Sequence, residues 1–232
     1  MKTLRRQLSL ALLALAALPG WGWAQADAPA PDAVADVSPP PGWRDAWEAV
    51  SPRSILVVPP VNHSVRVEAS DMALASLVVP LAEKGYYVFP VQTVKTVLER
   101  EGWHDADQLH ARPPGQLAKQ FGADLVLYAD VEYCDTLYVL VESFVAVRMH
   151  YRLVDRQGRL VWESAQLAKY RPEHDTDGGL IDRLVGAAID AAIARGWPDY
   201  QRLMREASEK AFVVSADALP DGPYKRAGTA GR

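Results

Sequence analysis

Three consecutive β-rich runs, Asp124 to Tyr133, Tyr138 to Val154 and Leu160 to Tyr170, constrain this 232-residue chain more than any other feature. In the second run Val145, Val147, Met149, Tyr151 and Leu153 alternate with Arg148, His150 and Arg152. A period of two sends the first set into a core and the second to the opposite face of a sheet. Between the second and third runs, Asp155-Arg156-Gln157-Gly158 reads as a hairpin turn with glycine where a positive φ is wanted. The three runs are therefore expected to pair antiparallel.

Ahead of them the pattern alternates between strand and helix. Ser54-Ile55-Leu56-Val57-Val58, stopped by Pro59-Pro60, is a short all-apolar run of the kind buried on both faces of a sheet. Ala69 to Lys84 reads as a helix closed by Gly85, with Pro80 expected to kink it or end it early. Tyr86 to Phe89 is a second strand, followed by helices over about Val91 to Glu101 and Pro114 to Phe121. Near the end, Leu180, Ile181, Leu184, Val185, Ala188, Ile189, Ala192 and Ile193 form one wide apolar helical stripe. A last helix over about Pro198 to Ala211 is expected to carry Pro198 in its first turn. The order β-α-β-α-α-β-β-β-α-α predicts a single α/β domain with a mixed sheet and helices packed on it.

The N-terminus points to export. Lys2, Arg5 and Arg6 precede an apolar run from Leu8 to Leu18, then Pro19-Gly20 and a polar stretch ending Ala24-Gln25-Ala26, the three zones of a cleavable signal peptide. The apolar run reaches only about 16 Å as a helix, roughly half of a ~30 Å hydrocarbon core. Residues 1–26 are therefore expected to be removed, leaving no transmembrane segment. Residues 27–42 read as an Ala/Pro-rich spacer, 43–214 as the domain and 215–232 as an irregular tail. Cleavage removes three basic side chains and leaves 22 against 29 acidic ones, a net charge of −7. Nucleic acid is thus an unexpected partner. The one cysteine, Cys134, excludes an intramolecular disulfide.

No G-x-S-x-G, H-E-x-x-H, phosphate-cradling glycine loop or dinucleotide fingerprint occurs, and no cofactor, metal or catalytic residue is assigned. Acidic neighbours make Cys134 a poor nucleophile. Pro59, Pro60, Asn62, His63 and Ser64 leave the first strand at the end where α/β sheets place ligands. They are either a stiff turn whose Asn62 satisfies local backbone groups or a binding loop. Trp43 and Trp47, spaced i, i+4, are either packing anchors or an exposed aromatic patch that a partner covers. His104, Asp105, Asp107 and His110 are possible metal ligands within seven residues, but their spacing matches no helical His pair and they read as a solvated loop or helix start; His150 reads as part of a polar sheet face, and His174 as part of a turn before the amphipathic helix.

Four stretches carry a resemblance: Pro52 to Asn62 (PRSILVVPPVN), Pro80 to Val91 (PLAEKGYYVFPV), Phe121 to Asp124 (FGAD), and the Asp155 hairpin with Val161-Trp162. Together they resemble a bacterial family of lipoproteins of unknown function that includes a neisserial surface antigen, over about Trp43 to Tyr224. The resemblance implies an α/β fold like the N-terminal domain of TolB. It also implies a periplasmic setting at the outer membrane and association with envelope proteins such as CsgG-like curli-type secretion lipoproteins. No cysteine follows the apolar run to carry lipid, so anchoring through a lipid is not expected here. The resulting expectation is a non-enzymatic interaction module in envelope assembly or secretion; the competing one is a soluble periplasmic protein that binds a small ligand or peptide.

Overall fold

The computed structural model describes residues 37–139, 142–170 and 199–226. The leader, most of the spacer, His174 and the expected helix around 180–193 lie outside the described residues. In chain order the elements are α1 (Trp43–Val50), β1 (Ser54–Val57), β2 (Val61–Asn62), α2 (Ala69–Glu83), β3 (Tyr87–Val88), α3 (Val91–Arg100), α4 (Ala106–His110) and α5 (Pro114–Phe121). Then come β4 (Leu125–Val139), β5 (Glu142–Asp155), β6 (Leu160–Tyr170), α6 (Tyr200–Glu209) and a π-helical turn, Lys210–Val214.

The strands make one mixed sheet in the order β3-β1-β4-β5-β6, with β2 also paired to β4. β1 runs parallel to β3 and β4, whereas β5 runs antiparallel to both of its neighbours, β4 and β6, as expected for the three consecutive runs. Side chains alternate between two cores. Ile55, Val57, Leu125, Leu127, Val147, Tyr151 and Leu153 face an inner core shared with α1, α2, α6 and the π turn. Leu56, Val58, Val126 and Tyr128 face an outer core with Val94, Leu98, Leu109 and Leu117 from α3, α4 and α5. β1 is therefore buried on both sides, which explains its unbroken apolar run.

β4 holds the feature that most shapes its outer face. Val131 pairs with Met149 but Tyr133 pairs with Arg148, so Glu132 is an extra residue, a β-bulge. A one-residue shift exchanges the faces of everything beyond it. Cys134 thereby enters the inner core opposite Val147, and Tyr133 turns outward beside Arg148. The bulge also hides the strand's length: β4 runs on to Val139 and β5 begins at Glu142, so the expected break at 134–137 is not a turn.

Other expectations are corrected by local physics. α2 continues through Pro80 to Glu83, because proline forgoes only its own bond to the carbonyl four residues upstream while its carbonyl still accepts from Lys84 N–H at 3.0 Å. α6 is capped by Asp199, whose side chain accepts from Arg202 N–H at 2.9 Å, so its first turn starts at Tyr200; Pro198 lies outside the described residues. Residues 215–226 form no helix or strand, yet they pack as a strap across the domain. Trp162 Nε1–H donates to Asp217 O (2.8 Å), Leu219 is buried, Tyr86 O–H donates to Pro220 O (2.7 Å), and Tyr224 N–H donates to Gly85 O (3.0 Å). Trp43 and Trp47 lie in the inner core at 7% and 4% exposure, so they form no exposed patch. Their i, i+4 spacing on α1 gives edge-to-face contacts between Trp43 and Trp47 and between Trp47 and Tyr86.

Candidate functional site

The Pro59-Pro60 segment joins two strands. Val58 N–H still donates to Leu127 O, the prolines interrupt the ladder, and Val61 and Asn62 resume parallel pairing opposite Asp130 and Val131. Each proline carbonyl is used: Pro59 O by His110 Nε2 (2.9 Å) and Pro60 O by Ser70 Oγ–H (2.6 Å). Beyond them, Asn62 Oδ1 accepts from Ser64 N–H (2.9 Å) and Ser64 Oγ–H (2.7 Å), and Asn62 Nδ2–H donates to Arg66 O (2.6 Å). This is an Asx-type turn that employs Asn62 and Ser64 within the loop itself. Arg66 pins the far end, its guanidinium 3.9 Å from the Tyr200 ring centroid and 3.8 Å from Asp135. Held at both ends, the loop projects Val65 and Val67 into solvent at 80% and 87% exposure.

His63 leaves this loop toward a polar cluster on the outer sheet face. Beyond Tyr128 the outward positions turn polar: Asp130 and Glu132 on β4, Arg148, His150 and Arg152 on β5, and Glu163 on β6. Asp130, at the centre, is 3.2 Å from Arg152 Nη2 and 3.7–3.9 Å from one ring nitrogen each of His63, His110 and His150. His150 Nε2 reaches Glu163 at 2.7 Å, and Arg148 Nε donates to Glu132 at 2.6 Å. Burial holds His110 below the ordinary imidazole pKa, opposed by its bond to Pro59 O and by Asp130. Tyr128, directly opposite Arg152 in the ladder, is pushed up to about 12 by burial, with Arg152 and Arg112 pulling the other way.

The structure thus brings together His63, His110 and His150 from three separate candidate groups. It uses Asp105 as the cap of α4, accepting from Gln108 N–H at 3.1 Å, and places His104 with Asp105 and Pro59 in the wall of a neighbouring cleft. The segment expected as a solvated loop or helix start is in part the short helix α4, with Leu109 in the outer core. Asp130, Tyr128 and Arg112 carried no signal in the sequence, because only the strand register and the packing of α4 place them. Cys134 is buried and its thiol is pushed up to about 12, first by burial and then by Asp135 and Glu68 against the opposing pull of Arg66. Among the described residues no group of three or more His, Cys, Asp or Glu is arranged to hold a metal ion. No helix among them is long and apolar enough to cross a membrane.

A family model with the description "Putative lipoprotein GNA1162-like" matches residues 45–223. A Neisseria meningitidis serogroup B protein named as a putative lipoprotein is 38% identical over 140 residues, 60% of this chain and 65% of that protein. The aligned part therefore spans slightly less than two thirds of that relative's length. The crystal structure of lipoprotein GNA1162 from Neisseria meningitidis aligns with a TM-score of 0.50 and 36% identity, covering 62% of this chain and 99% of that one. A PelC dodecamer from Paraburkholderia phytofirmans aligns with a TM-score of 0.41 and 15% identity over 68% of this chain and 88% of that one. None of these descriptions names an enzymatic activity. With its match running from residue 45 to 223, the chain belongs to the GNA1162-like family of putative lipoproteins.

Proposed function

We propose that this protein is a non-enzymatic interaction module of the bacterial envelope, exported to the periplasm by its leader, that docks on an assembly or secretion complex through the β2–α2 loop. The observation that carries this reading is the display of Val65 and Val67 on a loop braced by Asn62 and Arg66. Each valine left in water forgoes about 1.5–3 kcal/mol relative to full burial. A loop already fixed in shape loses little further entropy on binding. The family membership supports an envelope setting, and a CsgG-like outer-membrane lipoprotein is the partner class implied by the sequence resemblance.

Site-specific photo-crosslinking in cells tests the reading. A crosslinker at position 65 or 67 captures one discrete envelope protein, and a crosslinker at Val79, an exposed residue on α2 at 51%, does not. Equal labelling from all three positions refutes it. The second reading, a small-ligand or peptide binder, has in its favour a cleft of about 190 Å³ beside Pro59, walled by Ser70, Lys95, Trp103 and Asp105. Saturable ligand binding there, without capture at position 65 or 67, selects that reading.

A further inference from the structure

Five buried side-chain polar atoms among the described residues lack a hydrogen-bond partner, and four of them belong to one patch: His110 Nδ1, Arg112 Nη1, Tyr128 Oη and Arg152 Nε. Buried polar groups are ordinarily satisfied, so a concentration of orphans marks a place for a ligand, ion or water. The four side chains are tied together. The His110 and Tyr128 rings meet edge to face at 5.0 Å, Arg152 sits opposite Tyr128 with its guanidinium 5.9 Å from that ring, and Arg112 acts electrostatically on the same phenol. Tyr128 is 3% exposed and the His110 side chain 8%, so neither finds its partner in bulk solvent.

The chemistry of these orphans is one-sided. Guanidinium N–H groups only donate, and the Tyr128 phenol remains a protonated donor at neutral pH. His110 is the one acceptor: its Nε2 faces the Pro59 carbonyl and must carry the proton, which leaves Nδ1 with a lone pair. Two carboxylates act on the patch beside the two guanidinium groups, and Asp130 Oδ1 lies 3.7 Å from His110 Nδ1, beyond hydrogen-bond distance. Asp130 lies at 3.2 Å from Arg152 Nη2 and offsets that guanidinium, whereas Arg112 forms no ion pair among the described residues and is held over the Trp103 ring at 4.3 Å. Asp107, the other carboxylate acting on His110, is on α4.

We propose that this patch is an oxyanion site, taking a phosphate or carboxylate group between Arg112, Tyr128 and Arg152. A guanidinium fork matches the geometry of such groups. His110 Nδ1 accepts from a P–OH or from a bridging water. The rim faces solvent through Arg152, whose side chain is 39% exposed, so the anion enters from the outer sheet face. The site lies beside the Pro59-Pro60 exit of β1, and it stands independently of the docking loop.

Isothermal titration of the exported chain with inorganic phosphate, phenyl phosphate and acetate, at constant ionic strength set by chloride, tests the assignment. Saturable binding to at least one of the three is expected, weakened at least tenfold by Arg112→Gln and by Tyr128→Phe, with Arg112→Gln melting in chloride as the parent does. Arg112→Lys, which keeps the charge but loses the fork, falls between. Preference for phenyl phosphate over inorganic phosphate assigns the site to phosphomonoesters, and response to acetate extends it to carboxylates; each supports the proposal. No saturable binding to any of the three, or undiminished binding by Arg112→Gln, overturns it.

Discussion

Replacing Gly85 with alanine measures whether the C-terminal strap belongs to the fold. Gly85 has φ +89°, in the left-handed region, and an added methyl there overlaps the backbone N of Lys225. Gly102 is the matched control: its φ is +91°, and the space around it is open for 4 Å. Gly102→Ala should therefore cost only the backbone strain, about 1–2 kcal/mol. At Gly85 the strap must also move, because the obstructing atom is backbone. Displacement loosens Tyr224 N–H to Gly85 O (3.0 Å), Gly222 N–H to Lys84 O (2.6 Å) and Tyr86 O–H to Pro220 O (2.7 Å). At about 0.5–1.5 kcal/mol net for each bond, the total reaches about 3–6 kcal/mol. In a domain of this size that lowers Tm by about 6–20 °C. Urea unfolding followed by tryptophan fluorescence reads the difference, since Trp47 and Trp162 sit under the strap's contacts. Equal losses in the two variants would refute the claim that residues 215–226 are an integral part of the domain.

Two further outcomes follow from burial of titratable groups. Native protein should leave Cys134 unreactive toward a neutral disulfide reagent at pH 8, because burial raises the thiol to about 12, with reaction appearing only as denaturant unfolds the chain; rapid labelling of native protein would contradict this. His110 is held below its unfolded value of about 6.5, so as pH falls through that value the unfolded chain takes up the proton first and stability is lost on the acid side. His110→Gln should flatten the fall in urea midpoint between about pH 7 and about pH 5.5, and an unchanged slope would show that another group is responsible.

Much of the sheet was legible. β5 announces itself because Val145 to Leu153 alternate without interruption, and β1 because Ile55 to Val58 are apolar on both faces. β4 was legible only as far as its bulge. Glu132 breaks the period, so Cys134-Asp135-Thr136 looks like a turn although the strand continues through it. β2 was missed because two residues after a Pro-Pro pair make no pattern, and its register is set wholly by β4. The packing of α1 was present in the i, i+4 tryptophans, but spacing alone does not say whether a helix face meets a core or a partner. Of the candidate loop, the braced Asn62 turn was readable from local chemistry. The His110–Asp130 approach was not, since it joins residues twenty apart through the docking of α4 on the sheet.

The central claim is that the β2–α2 loop is the protein's docking element. Its most direct test is the affinity of the purified envelope protein captured from position 65 for the parent chain and for a Val65→Ser, Val67→Ser double variant. Both valines are exposed, so the variant should melt with the parent while its Kd for the partner rises at least tenfold, about 1.4 kcal/mol. An unchanged Kd would contradict the account and move the contact elsewhere on the domain.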